Sequence, residues 1–239
     1  MDVPTTVTTA LADRPVTGRV CLEAGAGVGN TTAGLLKAGA SRVYAVTDDG
    51  EHANAVYERV DSGDADRTAV LKADLRRLPL AIDSVDLITA HGLFNVLPPP
   101  WLESVAAELT RVATPGCHLV IDDYEPLPDD AAVRELFALE NAATELAEGR
   151  PALTFYPATV LRRLFVGYGW EFDRQRTLLD PVPWTTGHIE AHAEVAQTAA
   201  SEVSGELGAS LMTAAERLAT EIGAESVGQM YSVALQLPA

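Results

Sequence analysis

A short apolar run, Val20-Cys21-Leu22, ends in an acid, Glu23, and then in glycine at every second position, Gly25, Gly27 and Gly29, before the polar triplet Asn30-Thr31-Thr32. Glycine lets the backbone take positive φ and lets a ligand come closer than a Cβ would permit. Asn30, Thr31 and Thr32 carry side chains that cap helices, and a helix starting here turns N–H groups and its positive dipole end toward the loop. The chemistry such a loop serves is close binding of a nucleotide-like ligand. Two common loops are excluded by spacing. A phosphate-binding loop ends in Gly-Lys-Ser/Thr, whereas Gly29 is followed by Asn30. The dinucleotide fingerprint needs a glycine three residues after its second, where this chain has Asn30 or Thr32.

Short apolar runs alternating with helix-length segments must hold this loop. Strands are expected over residues 20–24, 42–46, 68–73, 84–90, 117–121, 171–178 and 230–237, with helices between them. The helix after the glycines is expected to stop at Gly39, a natural residue just past a helix end. This alternation reads as βαβ units and a parallel sheet, an α/β doubly wound fold. Ligands of such sheets lie beyond the carboxyl ends of the strands. That rule selects four groups of residues: the glycine loop, Thr47-Asp48-Asp49, Asp74-Leu75, and Ala90-His91 with Asp122-Asp123-Tyr124.

The order acid-x-Gly-x-Gly-x-Gly, then Asp74 to Pro79, then Thr114-Pro115-Gly116 before a strand resembles the class I S-adenosylmethionine-dependent methyltransferases. The resemblance runs from Val20 to Ile121, with Gly167 to Phe172 resembling that family's entry to its sixth strand. It implies S-adenosyl-L-methionine as cofactor and a mostly parallel sheet with an antiparallel last strand. It implies Glu23, Gly25, Gly27, Gly29 and Asn30 around the cofactor, Asp74 on the adenine amine with Leu75 beside the ring, and Ala90 and His91 beside the reacting methyl. It also implies an acid at the end of the second strand that accepts from the two ribose hydroxyls. Here the pattern departs: the expected place holds Thr47, and the carboxylates follow at Asp48 and Asp49. Asp48 is the first choice and Asp49 the second, against the alternative that both only cap the helix that follows.

Methyl transfer is an in-line displacement, so positioning and exclusion of water carry most of the catalysis. A base is needed where the acceptor is a hydroxyl, thiol or protonated amine. His91 suits by strand-end placement and its intrinsic pKa; Asp122, Asp123 and Tyr124 follow. The alternative for His91 is a strand-end residue satisfied by backbone or water. Pro98-Pro99-Pro100-Trp101 superficially resembles the Asn/Asp-Pro-Pro-aromatic run of nucleic-acid amino-methyltransferases, but it lacks the polar first residue and reads as the first turn of a helix. His188 and His192 stand four apart, a spacing that can bind metal, without a third ligand in sequence; no metal is expected.

Two additions to the minimal fold are expected. One is a helical insertion over about 126–157, with an apolar stripe of Leu136, Phe137, Leu139 and Leu146. The other covers 181–228 and holds two helices, the second with Leu207, Leu211, Met212, Ala215, Leu218 and Ile222 at helical spacing. They read as extra helices after the fifth strand and between the sixth and seventh, covering the substrate. The last face is core or a homodimer interface. Residues 1–18 read as a tail with a short helix, 19–180 as the cofactor-binding core, and 229–239 as its last strand.

The chain carries 34 acidic and 17 basic residues, a net of −17, and its only lysines are Lys37 and Lys72. Such a surface is tolerated where concentrated cations screen it, and it resembles the proteomes of salt-accumulating archaea. There is neither an apolar run long enough to span a membrane nor a secretory signal at the start, so a cytoplasmic enzyme is expected. Cys21 and Cys117 lie in strand-like runs and read as small core residues. The function expected is methyl transfer to an O, N, S or C atom of a small-molecule acceptor. The alternatives are a catalytically silent cofactor-binding subunit, suggested by Thr47, and an RNA or protein methyltransferase. A nucleic-acid partner is disfavoured, because no basic patch with interleaved aromatics is present.

Overall fold

The computed structural model describes residues 2–60 and 63–239. Residue 1 of the expected tail and residues 61–62 of an expected loop lie outside the described residues. In chain order the elements are α1 (Thr5–Leu11), β1 (Val20–Ala24), α2 (Asn30–Lys37), β2 (Arg42–Thr47), α3 (Gly50–Arg59), β3 (Thr68–Lys72), β4 (Val85–His91), α4 (Leu102–Val112) and β5 (Ala113–Tyr124). There follow α5 (Val133–Glu148), α6 (Ala158–Gly167), β6 (Glu171–Leu179), the short pair β7 (Pro183–Trp184) and β8 (Glu225–Ser226) around α7 (Thr186–Ser201) and α8 (Glu206–Ile222), and finally β9 (Met230–Gln236).

The main sheet has seven strands in the order β3-β2-β1-β4-β5-β9-β6. The strands from β3 to β5 are parallel, and β9 runs antiparallel between β5 and β6. This is the expected doubly wound sheet with an antiparallel last strand, the class I methyltransferase fold. Its central strands are apolar on both faces, as a sheet covered by helices on both sides requires. Leu22, Ile88, Leu119 and Ile121 pack toward α4 and α6, while Cys21, Val43 and Leu87 pack toward α1 and α2. Both cysteines are buried free thiols, and burial pushes the Cys21 thiol up to about 12.

Three expectations are corrected. Thr114-Pro115-Gly116 is not a turn before β5 but lies inside it, where the β4–β5 register slips between Val85 and Leu87 and Gly116 takes a φ of 81°. On α5 the buried side runs through Leu136, Phe137, Glu140, Ala143 and Thr144, and Leu146 is exposed. The stripe turns that way because it faces α7, not the sheet. On α8, Ala215 and Leu218 are buried, whereas Leu207 in the first turn and Met212 are exposed.

The N-terminal segment is also more than a tail. Val7, Ala10 and Leu11 are buried, and the chain after α1 is stitched to β6 by ion pairs. Asp13 meets Arg14, Arg174 and Arg176, at 3.1, 2.9 and 2.6 Å. Arg14, whose side chain is only 6% exposed, also meets Asp173 at 2.6 Å. Burial of Asp13 favours its neutral form, but the hydrogen bonds and charges of Arg14 and Arg174 outweigh this and hold its carboxyl well below the usual range. A lowered carboxyl pKa stabilises the fold above the unfolded value and loses that contribution as pH falls, here from about pH 4 downward. Asp13→Ala is expected to cost about 2 kcal/mol in urea titrations at pH 7, less than a fully buried pair because Arg14 keeps Asp173. The difference from wild type should shrink as the pH is taken below about 4.

Candidate active site

The glycine loop bridges β1 and α2 by a device the sequence did not disclose. Gly29 stands at the helix N-cap with φ 77°, and no side chain of the triplet caps the helix. Instead Glu23, buried at the end of β1, reaches across the loop and accepts from the Thr32 hydroxyl. Burial pushes the Glu23 carboxyl up, against the Thr32 hydroxyl and amide that favour its charged form. The expected capping by Asn30, Thr31 and Thr32 is therefore replaced by a cap from the strand side, and Thr32 acts as donor. Gly25 has φ 75°, and a Cβ there would fall 2.7 Å from Leu93 Cδ1. Gly27 differs: no atom lies within 4 Å of where its Cβ would stand, and it borders an open cleft.

That cleft, of about 490 Å³, lies at the carboxyl ends of β1, β2 and β4. Its wall includes Glu23, Gly25, Gly27 and Asn30 from the loop, Thr47, Asp48 and Asp49 from the end of β2, Asp74 and Leu75 after β3, and His91 from β4. Two residues expected at the cofactor are elsewhere. Gly29 packs against Val56 and Arg59 of α3, and Ala90 is fully buried in the sheet.

At the end of β2 the three alternatives separate. Thr47 is buried, and its hydroxyl accepts from the Asp49 amide at 3.2 Å. Asp49 caps α3, accepting from the amides of Glu51 and His52 at 2.6 and 3.1 Å. Those bonds hold its carboxyl below the usual range. Asp48 is exposed on the cleft wall, and among the described residues its carboxylate has no hydrogen-bonding partner. After β3, Asp74 accepts from the Arg76 amide at 2.8 Å and from its guanidinium at 2.6 to 3.0 Å. The same guanidinium lies 3.8 Å from the centroid of the Trp101 ring.

On the other side of the cleft, register pairs His91 with Asp122, and His91 Nδ1 lies 3.1 Å from Asp122 Oδ2. The His91 side chain is 26% exposed and that of Asp122 is 5% exposed. Burial disfavours the imidazolium, but the hydrogen bond and charge of Asp122, with the charges of Glu23 and Asp123, outweigh it and raise the ring's pKa. Asp123 accepts from the amides of Asn95 and Tyr124 at 3.1 and 2.9 Å, and burial pushes its carboxyl up to about 6. Its role is to hold the turn after β4. Of the expected catalytic residues, only His91 reaches the cleft wall. Asp122 touches the site through His91, and Tyr124 packs away from it, 5.3 Å from Trp184 and 6.3 Å from Phe155 between ring centroids.

Residues 21–116 match the family described as "Methyltransferase domain". That match lies within the first half of the chain. A demethylmenaquinone methyltransferase of Clavibacter sepedonicus is 37% identical over 123 residues, which is 51% of this chain and 48% of that protein. The chain thus spans about half the length of this curated relative. Among solved structures, a geranyl diphosphate methyltransferase in complex with SAM is 15% identical, with a TM-score of 0.62 over 96% of this chain and 83% of that one. The cyclase SpnF is 14% identical, with a TM-score of 0.65 over 98% and 81%. At such identities the likeness is one of fold, and it is shared with a cyclase.

Within the matched residues, the cleft wall also includes residues that the motifs did not flag: His52, Leu93, Val96, Leu97, Pro98 and Trp101. Trp101 was legible only as part of a helix-opening proline run; a large aromatic at the mouth of a ligand-side loop was the available signal. Beyond the matched residues, the two insertions meet each other. Helices α5, α7 and α8 pack together, and His192 Nδ1 lies 2.8 Å from Oε2 of buried Glu140. The other histidine of that pair, His188, exchanges hydrogen bonds with Thr185 in a capping box. The two rings thus serve different partners. Among the described residues no three potential ligands cluster as a metal site, and no helix is long and apolar enough to cross a membrane.

Proposed function

We propose that this chain is an S-adenosylmethionine-dependent methyltransferase acting on a small-molecule acceptor. The observation that carries this reading is the cleft beside Gly27, open where a Cβ would stand and bordered by the unpartnered Asp48 carboxylate. Its volume is that of small-molecule sites. Asp48 would accept from the ribose hydroxyls, Leu75 and Leu93 would flank the adenine, and Asp74 would take its amine while still held by Arg76. When bound, S-adenosylmethionine supplies an electrophilic methyl group. The chain's own part is to orient it, to exclude water, and to hold a proton acceptor, His91, at the strand ends.

Calorimetry with S-adenosylmethionine and S-adenosylhomocysteine in concentrated potassium chloride tests the reading, and absence of binding would sink it. The two neighbouring acids should then separate. Asp48→Asn is expected to weaken binding at least tenfold with an unchanged melting temperature, since that carboxylate has no structural partner. Asp49→Ala is expected to lower the melting temperature and leave affinity nearly unchanged, because it removes a helix cap.

A silent cofactor-binding subunit was suggested by Thr47; the exposed, unpartnered Asp48 carboxylate beside it supports the catalytic reading. An RNA substrate is disfavoured by a cleft wall without lysine or arginine among the described residues. Because the fold also serves a cyclase, the decisive assay is transfer of labelled methyl to a host metabolite extract.

A further inference from the structure

We propose that Asp122 is a positioning residue that fixes His91 with its proton on Nδ1, leaving Nε2 to deprotonate an acceptor that is a neutral hydroxyl compound. This rests on the methyl-transfer reading above and names the acceptor class of that site.

The geometry runs through one hydrogen bond. Asp122 is buried and absent from the cleft wall, whereas His91 lies on it. With Nδ1 engaged by Asp122 Oδ2 at 3.1 Å, Nε2 has no partner among the described residues. An ionised carboxylate accepts and cannot donate, so Nδ1 must carry a proton, and in the neutral ring the lone pair is left on Nε2. The charged groups that act most strongly on the ring are carboxylates: Glu23 from β1, and Asp122 and Asp123 from β5. Together they stabilise the imidazolium that forms when the proton arrives.

The acceptor class follows from what the surrounding groups are already doing. An anionic acceptor would meet no lysine or arginine on the cleft wall among the described residues. An ammonium would need a carboxylate to face it, but those near His91 are committed: Glu23 to Thr32, Asp122 to His91, and Asp123 to two backbone amides. Asp48, Asp49 and Asp74 stand at the ends of β2 and β3, on the cofactor's side. A neutral hydroxyl needs neither counter-ion and only a base. In the step, His91 Nε2 takes the hydroxyl proton and the oxygen's electron pair forms the bond to the donor methyl. The pair of the broken carbon–sulfur bond stays on sulfur, which leaves as a neutral thioether.

The experiment has two arms. In the first, histidine labelled with ¹⁵N is followed by NMR through a pH titration of wild type, Asp122→Asn and His91→Gln, the last to assign the signal. Above the His91 midpoint, wild type should show Nδ1 protonated and Nε2 not. In Asp122→Asn the midpoint of His91 should fall by about one pH unit, because a charge partner is gone. A proton on Nε2 rather than Nδ1 in the neutral ring, above its midpoint, or a His91 midpoint unmoved by Asp122→Asn, overturns the positioning role. This arm is read without any ligand, so it stands apart from failure of S-adenosylmethionine binding. In the second arm, methyl-labelled S-adenosylmethionine is incubated with a host metabolite extract and the product bond is classified. Label in methyl ethers is expected, with turnover about 100-fold lower in Asp122→Asn at unchanged S-adenosylhomocysteine affinity. Label in N-methyl groups or alkali-labile methyl esters, or no label at all from a protein that binds S-adenosylmethionine, overturns the acceptor class.

Discussion

Replacing Gly27 by valine is expected to weaken S-adenosylmethionine binding by about 100-fold, or about 2.7 kcal/mol, with a melting temperature within a degree or two of wild type. The two halves of that expectation come from one observation. No atom lies within 4 Å of the Cβ position at Gly27, and its φ is not in the left-handed region, so the fold can accept a side chain there. The space such a side chain would take is the cleft. Gly25→Val is the contrast. At φ 75°, with Leu93 Cδ1 2.7 Å from the added Cβ, it should lose binding and stability together, the backbone alone costing about 1–2 kcal/mol. Calorimetry paired with thermal melts separates the two. A Gly27→Val protein that binds as tightly as wild type would remove the loop from the cofactor site.

A change of salt should have an effect as large as the protein's whole stability. As a uniformly charged sphere of about 23 Å radius, a folded chain of 239 residues and net charge −17 repels itself by roughly 15 kcal/mol at about 10 mM salt. The expanded chain, about 53 Å in radius, repels itself by roughly 4 kcal/mol. At about 1 M the values fall to roughly 3 and below 1 kcal/mol, so screening favours the folded state by about 8 kcal/mol. Salt also weakens ion pairs such as Arg217–Glu221, but exposed pairs contribute only about 0–1 kcal/mol each. Folded domains are stable by about 5–15 kcal/mol, so repulsion wins. Circular dichroism melts across a potassium chloride series should show a chain that is unfolded or nearly so at about 10 mM and melts cooperatively above about 1 M. A melting temperature that moves by less than about 5 °C over that range would end the charge-repulsion account.

Most of the cleft wall on the side of β1 to β3 was legible because it is local. Glu23, Gly25, Gly27, Asn30, Asp48, Asp74 and Leu75 stand at strand ends, and strand ends can be read from apolar runs and glycines. Gly29 and Ala90 were placed at the cofactor by motif and serve the helix cap and the sheet instead. At the end of β2, spacing left Thr47, Asp48 and Asp49 open, and only the hydrogen bonds of Asp49 to the α3 amides leave Asp48 as the acid without a partner among the described residues. Trp101 and His52 were missed since neither belongs to a spaced motif.

By itself the sequence determined the alternation of strands and helices, the glycine loop, and the acidic surface, since each depends on neighbours within a few positions or on composition alone. Tertiary structure decided the rest. It joined the two insertions into one helical cluster through Glu140 and His192, fifty-two positions apart in the chain, and it turned Tyr124 into that cluster. It also set Asp122 behind His91, thirty-one positions away in the chain. Those pairings come from strand register and helix packing, which bring together residues that no local pattern relates.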